Sequence, residues 1–134
     1  MNRRILCLVG IAVIALGFLS ACGPRLIPPG FSLLGSREVN FRTEQDVIPI
    51  TRSSGPLRRL LIIPRINPVE IYNVRVIFES GGDFDAPVRE KLFVGRDRLM
   101  IDLPGEARRV RRVEFRYRMV ARDIRRAVVE LWGQ

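Results

Sequence analysis

"VEFRYRM", Val113 to Met119, alternates without a break: Val113, Phe115, Tyr117 and Met119 are apolar, while Glu114, Arg116 and Arg118 carry charge. Successive side chains of an extended strand point to opposite faces. This period of two therefore describes a strand with one face in a core and one in water. Just upstream, in "RRVRRVEF", Val110 is apolar at an even position while the following apolar residues, Val113 and Phe115, are odd. The inward face slips by one residue around Arg111-Arg112. Either an extra residue bulges out of the strand there, or the strand starts at Arg112.

Working outward, period two dominates the chain after residue 30 and period 3.6 is scarce. Val74, Val76 and Phe78 alternate with Arg75 and Glu79, with Ile77 interrupting the polar face. Further strands are expected at Arg37 to Phe41, Leu57 to Ile63, Val88 to Phe93, Leu99 to Leu103 and Ala127 to Trp132. Turn signals separate them: "SSGP", "NP", "SGGD", "VGRD" and "LPGE". Short strands punctuated in this way imply an all-β domain, an antiparallel sandwich of jelly-roll type with about seven or eight strands. One helical turn is conceivable at Arg122 to Arg126.

The N-terminus follows a different rule. Asn2, Arg3 and Arg4 precede Ile5 to Phe18, a run without a charged or polar side chain, and the small residues Ser20 and Ala21 follow. Charge, apolar run and small residues are the layout of an export signal. As a helix, Ile5 to Phe18 would rise only ~21 Å at ~1.5 Å per residue, short of a hydrocarbon core about 30 Å thick. Leu19-Ser20-Ala21-Cys22 resembles the bacterial lipobox. That resemblance implies that the Cys22 thiol is acylated and that the chain is cut before it. The alternative is an uncleaved membrane helix from Ile5 to Cys22. With the cut, residues 1–21 are a signal-peptide helix that is removed and 22–30, containing "GPRLIPPG", is a tether rich in proline and glycine. Residues 31–134 are then the sandwich domain, one domain and not two. Gly23, where an aspartate would resemble an inner-membrane retention signal, favours the outer membrane.

The formal charge of the chain is +9, and loss of Arg3 and Arg4 would leave +7. Lys91 is the only lysine, so arginine carries nearly all of it. Such a surface attracts anions: acidic lipid headgroups, lipopolysaccharide phosphates, acidic glycans or an acidic protein face. Export argues against nucleic acid. The chain has no histidine, which removes the commonest general base and metal ligand. With Cys22 acylated, a cysteine zinc site is excluded as well, so no metal or cofactor is expected. Ser53 and Ser54 are explained by their turn. Asp83 and Asp85 in "GGDFDAP" could give two oxygens to a calcium ion, far fewer than calcium needs, and read better as hairpin-loop residues. A carboxylate-based hydrolase is the least favoured reading, and no catalytic residue is assigned.

Two features point to binding instead. Arg112, Arg116 and Arg118 share a strand face with Glu114, about 6.6 Å between neighbours at ~3.3 Å per residue. They suit a phosphate or carboxylate, unless they pair with acids on the next strand as an ordinary solvated face. Trp132 shares a face with Val128 and Glu130 if Ala127, Val129 and Leu131 point inward, and would then suit a sugar or a protein partner. In the opposite phase it is core.

"LLGSREV", "VEIYNVRVIF", "IDLPG" with "RRVEFRY", and the closing "AVVELWG" resemble a bacterial family of small exported β proteins known as a domain of unknown function. The resemblance implies an all-β exported domain and transfers no activity. The expectation is a non-catalytic lipoprotein held by its lipid at the bacterial cell envelope, facing the periplasm. It would bind an anionic component or serve a structural role, the alternative being a protein-interaction subunit.

Overall fold

A computed structural model describes residues 26–40, 45–50, 55–121 and 126–134. These form nine strands and no helix: β1 (Ser32–Asn40), β2 (Gln45–Pro49), β3 (Arg59–Pro64), β4 (Val69–Phe78), β5 (Asp83–Ala86), β6 (Glu90–Leu92), β7 (Leu99–Asp102), β8 (Val110–Met119) and β9 (Arg126–Gly133). The segment read above as a signal peptide, Leu19-Ser20-Ala21-Cys22 read as a lipobox, Ser53-Ser54 and most of the helical turn expected at Arg122 to Arg126 lie outside the described residues.

Two antiparallel sheets result, one in the order β1-β9-β3-β7 and the other β2-β8-β4-β5, with β6 also on β4. β5 pairs with Val74 to Ile77 and β6 with Val69 to Ile71. The two are halves of one broken edge strand, so nine strands fill eight positions. The pairs nest: β1 with β9, β2 with β8, β3 with β7, β4 with β5 and β6. A long hairpin rolled up on itself gives this order, the double Greek key of a jelly roll. The rolling is sealed where β9 meets β3 and β8 meets β4.

The alternation read from Val113 to Met119 places the core. Val113, Phe115 and Tyr117 are buried, with Val74, Val76 and Phe78 from β4, Leu60 and Ile62 from β3, and Val129 and Leu131 from β9. The slip near Arg111 is a true bulge: Ile77 pairs with Arg112 but Phe78 with Val110, leaving Arg111 over. A second bulge lies in β4, where Ile71 pairs with Tyr117 and Asn73 with Arg116, so Tyr72 is the extra residue.

The expected strand limits need correction: β1 begins at Ser32, five residues before the expected Arg37. β2 was not anticipated. Val88 to Phe93 shrinks to Glu90–Leu92. Asp83 and Asp85 are strand residues and not loop residues, because Gly81 and Gly82, both with positive φ (89° and 82°), complete the turn before them.

β3 is buried on both faces. Leu61 and Ile63 point away from the core cluster yet have no exposed surface. The segment before β1 explains this. Arg98, just before edge strand β7, donates from Nη1 to the Leu26 carbonyl at 2.8 Å. Ser32 opens β1 at the far edge of the same sheet. Crossing three strand spacings takes ~14 Å, within reach of the intervening residues. Leu26, Ile27, Pro28 and Phe31 are accordingly half-buried. Residues 26–31 thus run from the β7 edge of this sheet to its β1 edge.

Candidate functional site

The outer face of the second sheet is laid out by the register of β8 and β4. Arg118 lies across from Glu70, Arg116 across from Asn73, Glu114 across from Arg75 and Arg112 across from Ile77. On the other side of β8, Gln45 of β2 faces Arg116. Next to β4, Asp85 faces Arg75 and Asp83 faces Ile77. Acids and cations are interspersed on this face, so most of the cations find an acid within one row.

Arg118 donates from Nε to Glu70 Oε2, Arg112 Nε lies 2.9 Å from Glu114 Oε1, and Arg75 pairs with Asp83. Among the described residues Arg116 has no such acid: across from it stand Asn73 and Gln45. Of the three arginines read from the sequence as a cluster, two are committed as solvated-face ion pairs, and Arg116 alone is uncommitted. They do not converge on one ligand.

Arg116 instead borders a cleft of about 490 Å³ lined by Gln45, Tyr72, Asn73, Arg75, Asp85, Glu114 and Phe115. The cleft lies beside the Tyr72 bulge. An extra residue bends a strand and re-aims its neighbours, which here turns a half-buried phenol and an amide toward the same opening. The side chains offer one uncommitted guanidinium, one guanidinium held by Asp83, two amides, a phenol and two carboxylates. Two cations balance two anions, so the site is no general anion trap. It fits a ligand with one acidic group and several hydroxyls. Of the lining residues, the sequence singles out Asp85 and Glu114 but not Gln45, Tyr72 or Asn73, although the phase change within "VEIYNVRVIF", from Val69 and Ile71 to Val74 and Val76, marks the bulge beside which they gather.

Next to the cleft, Glu70 is the one buried charged residue among those described, 4% exposed. It is ringed by Arg118, Arg89 and Lys91. The Arg118 hydrogen bond holds its carboxyl below the usual 4.5, aided by the charges of Arg118, Arg89 and Lys91 and opposed by desolvation. The unfolded chain therefore takes up this proton at a higher pH than the folded one. The stabilisation is complete above about pH 4.5 and is lost as pH falls through the lower folded value. Urea midpoints measured from pH 6 to 3 should drop on acidification, and Glu70→Gln should remove part of that slope. An unchanged slope would show that the ring of cations does not act on Glu70.

Trp132 sits in the outward phase, with Ala127, Val129 and Leu131 buried, and is itself half-buried. Its Nε1 donates to Glu130 Oε2 at 3.0 Å, Arg65 pairs with the same carboxylate, and Leu61 and Leu33 lie on either side. Asp83 is taken by Arg75, Asp85 lines the cleft, and no group of metal-ligating side chains occurs among the described residues.

No curated protein and no solved structure matches the chain. A family model described as "Domain of unknown function (DUF2541)" matches residues 11–133, and the chain belongs to that family.

Proposed function

We propose that this protein is a non-catalytic, lipid-anchored component of the bacterial cell envelope whose cleft at Arg116 binds an acidic sugar of a periplasm-facing glycan. Arg116 carries the reading. An arginine without an acid, beside a phenol and two amides in a polar cleft, is arranged to take a carboxylate in its planar fork while its neighbours bond hydroxyls. Asp85 and Glu114 supply acceptors for those hydroxyls. The N-terminal signal and the lipobox Leu19-Ser20-Ala21-Cys22 support the location. The mature chain would carry no free thiol and rely on its core, as a sandwich can.

Two measurements test the proposal. Intact mass of the protein isolated from its bacterium should show a chain starting at Cys22 and carrying acyl groups; retention of Met1, or an unmodified thiol, would remove the anchor. Calorimetric titration with a hexuronic-acid oligosaccharide should show binding that a neutral hexose oligosaccharide does not reproduce. A charge-assisted hydrogen-bonded contact contributes about 1.5–3 kcal/mol, so Arg116→Ala should weaken binding by roughly 10- to 100-fold. Equal binding of the neutral sugar, or no effect of Arg116→Ala, would remove the site.

A further inference from the structure

Ile66, Phe93 and Val94 are three of the four large apolar side chains exposed among the described residues, at 47%, 36% and 41%. They belong to two loops, β3–β4 (Arg65 to Pro68) and β6–β7 (Phe93 to Arg98), and the pairings bring both loops to one end of the sandwich. Val69 meets Leu92 in one ladder and Met119 in another. Asn67 donates from Nδ2 to the Arg126 carbonyl at 2.7 Å, tying the first loop to the start of β9.

The β6–β7 loop is built to present its tip. Asp97 Oδ2 accepts from the Phe93 backbone N–H at 3.0 Å, and the Phe93 carbonyl accepts from the Arg96 and Asp97 N–H groups at 3.2 and 3.0 Å. Gly95, at φ 76°, makes the reversal. The Arg96 guanidinium lies 4.4 Å from the centre of the Phe93 ring. From Arg89 to Arg98 there are four basic residues and two acidic ones, with Arg96 paired to Asp97 and Arg89 to Glu70, and Arg65, itself paired with Glu130, adds a fifth cation from the other loop. Apolar tips ringed by arginine and lysine are the chemistry of an interfacial anchor: the tips enter the headgroup–acyl boundary and the cations stay with anionic headgroups.

The chain itself says what would cover this end. Arg98 of the same loop holds the Leu26 carbonyl at 2.8 Å, so the described chain begins at this end. Cys22 is four residues before Leu26, at most ~14 Å of chain. We propose that this end, with Ile66, Phe93 and Val94 as its insertion points, docks directly on an anionic lipid bilayer. It would hold the sandwich upright, with the opposite end (the β4–β5 turn at Glu79 to Gly82) pointing away and the Arg116 cleft on the flank, open to a glycan. The choice of a bilayer rests on the proposed anchoring at Cys22.

The test uses the full chain, isolated with its anchor and reconstituted into phosphatidylglycerol vesicles with brominated acyl chains. In a Trp132→Phe background, Phe93→Trp, or Val94→Trp if the first disturbs folding by circular dichroism, should lose at least half its emission to bromine and resist acrylamide. Glu79→Trp should show the reverse. Replacing the lipid by neutral phosphatidylcholine, or introducing Arg96→Glu with Arg98→Glu, should reduce the bromine quenching at least twofold. Acrylamide access equal to that of Glu79→Trp would overturn the docking. The mass of the Cys22 peptide from the same sample reads the anchor separately, so an acylated Cys22 with an unquenched loop defeats docking alone.

Discussion

Replacing Phe115 by alanine lowers the stability of the domain by about 3–5 kcal/mol, the usual cost of truncating a buried aromatic ring. Phe115 is 1% exposed on β8, between β2 and β4 in its sheet. Its ring centre is 5.6 Å from that of Tyr117, tilted by 37°, a pairing that adds to the area it buries. Removing it leaves a cavity in the middle of the sheet, where paired neighbours on both sides cannot collapse. Neither Cys7 nor Cys22 lies among the described residues, so no disulfide within the described sandwich offsets the loss. Domains of this size hold roughly 5–15 kcal/mol in total, and each kcal/mol moves the melting temperature by about 4–8 °C. A fall of more than about 10 °C is therefore expected, with the urea midpoint lowered at constant slope. The next residue on the strand gives the control. Arg116→Ala, on the opposite face and without an ion-pair partner among the described residues, should change stability by no more than about 0.5 kcal/mol. A loss below about 1 kcal/mol for Phe115→Ala, or a comparable loss for Arg116→Ala, would contradict the burial of this face.

Alternation made β8 and β9 legible because each residue has one face to choose and the choice repeats every second position. The bulge at Arg111 was legible for the same reason, as a break in an otherwise regular phase. β2 was not: in Gln45 to Pro49 only Ile48 is buried, and the strand exists because β8 supplies its hydrogen bonds. Asp83 and Asp85 look like turn residues by type, yet two consecutive positive-φ glycines already satisfy the turn, and the aspartates fall onto the strand beside Arg75. The candidate site was half legible. Arg116 was picked out with Arg112 and Arg118 as one charged face, but which arginine stays free depends on what stands across from each. Without the extra residue in β4, Ile71 would face Arg118. With it, Glu70 does, while Asn73 keeps its place opposite Arg116. Register is a property of two strands, and one strand's pattern does not contain it.

That dependence on the Tyr72 bulge leads to a paired result with opposite signs. Counting by twos from Val69 and Ile71 would send Asn73 into the core and Val74 into water. The bulge reverses both, and Val74 has no exposed surface. Val74→Asp therefore puts a carboxylate among Val76, Phe115 and their neighbours with no cation to pair with it. An unpaired buried charge costs several kcal/mol even after it takes up a proton. Beside a total of about 5–15 kcal/mol, that is enough to abolish a cooperative unfolding transition or displace it to low urea. Asn73→Asp differs from it by one position and by the face it occupies. The new carboxylate stands directly across from Arg116, so the chain folds with stability within about 0.5 kcal/mol of the parent. In the cleft it does what a ligand carboxylate would do and occupies the guanidinium. Binding of the hexuronic-acid oligosaccharide should then fall by about tenfold or more, as for Arg116→Ala. Joining the two substitutions should weaken binding little further, since both remove the same contact. Folding by the Val74→Asp chain and collapse of the Asn73→Asp chain would mean that Tyr72 is not the extra residue, and the cleft at Arg116 would go with it.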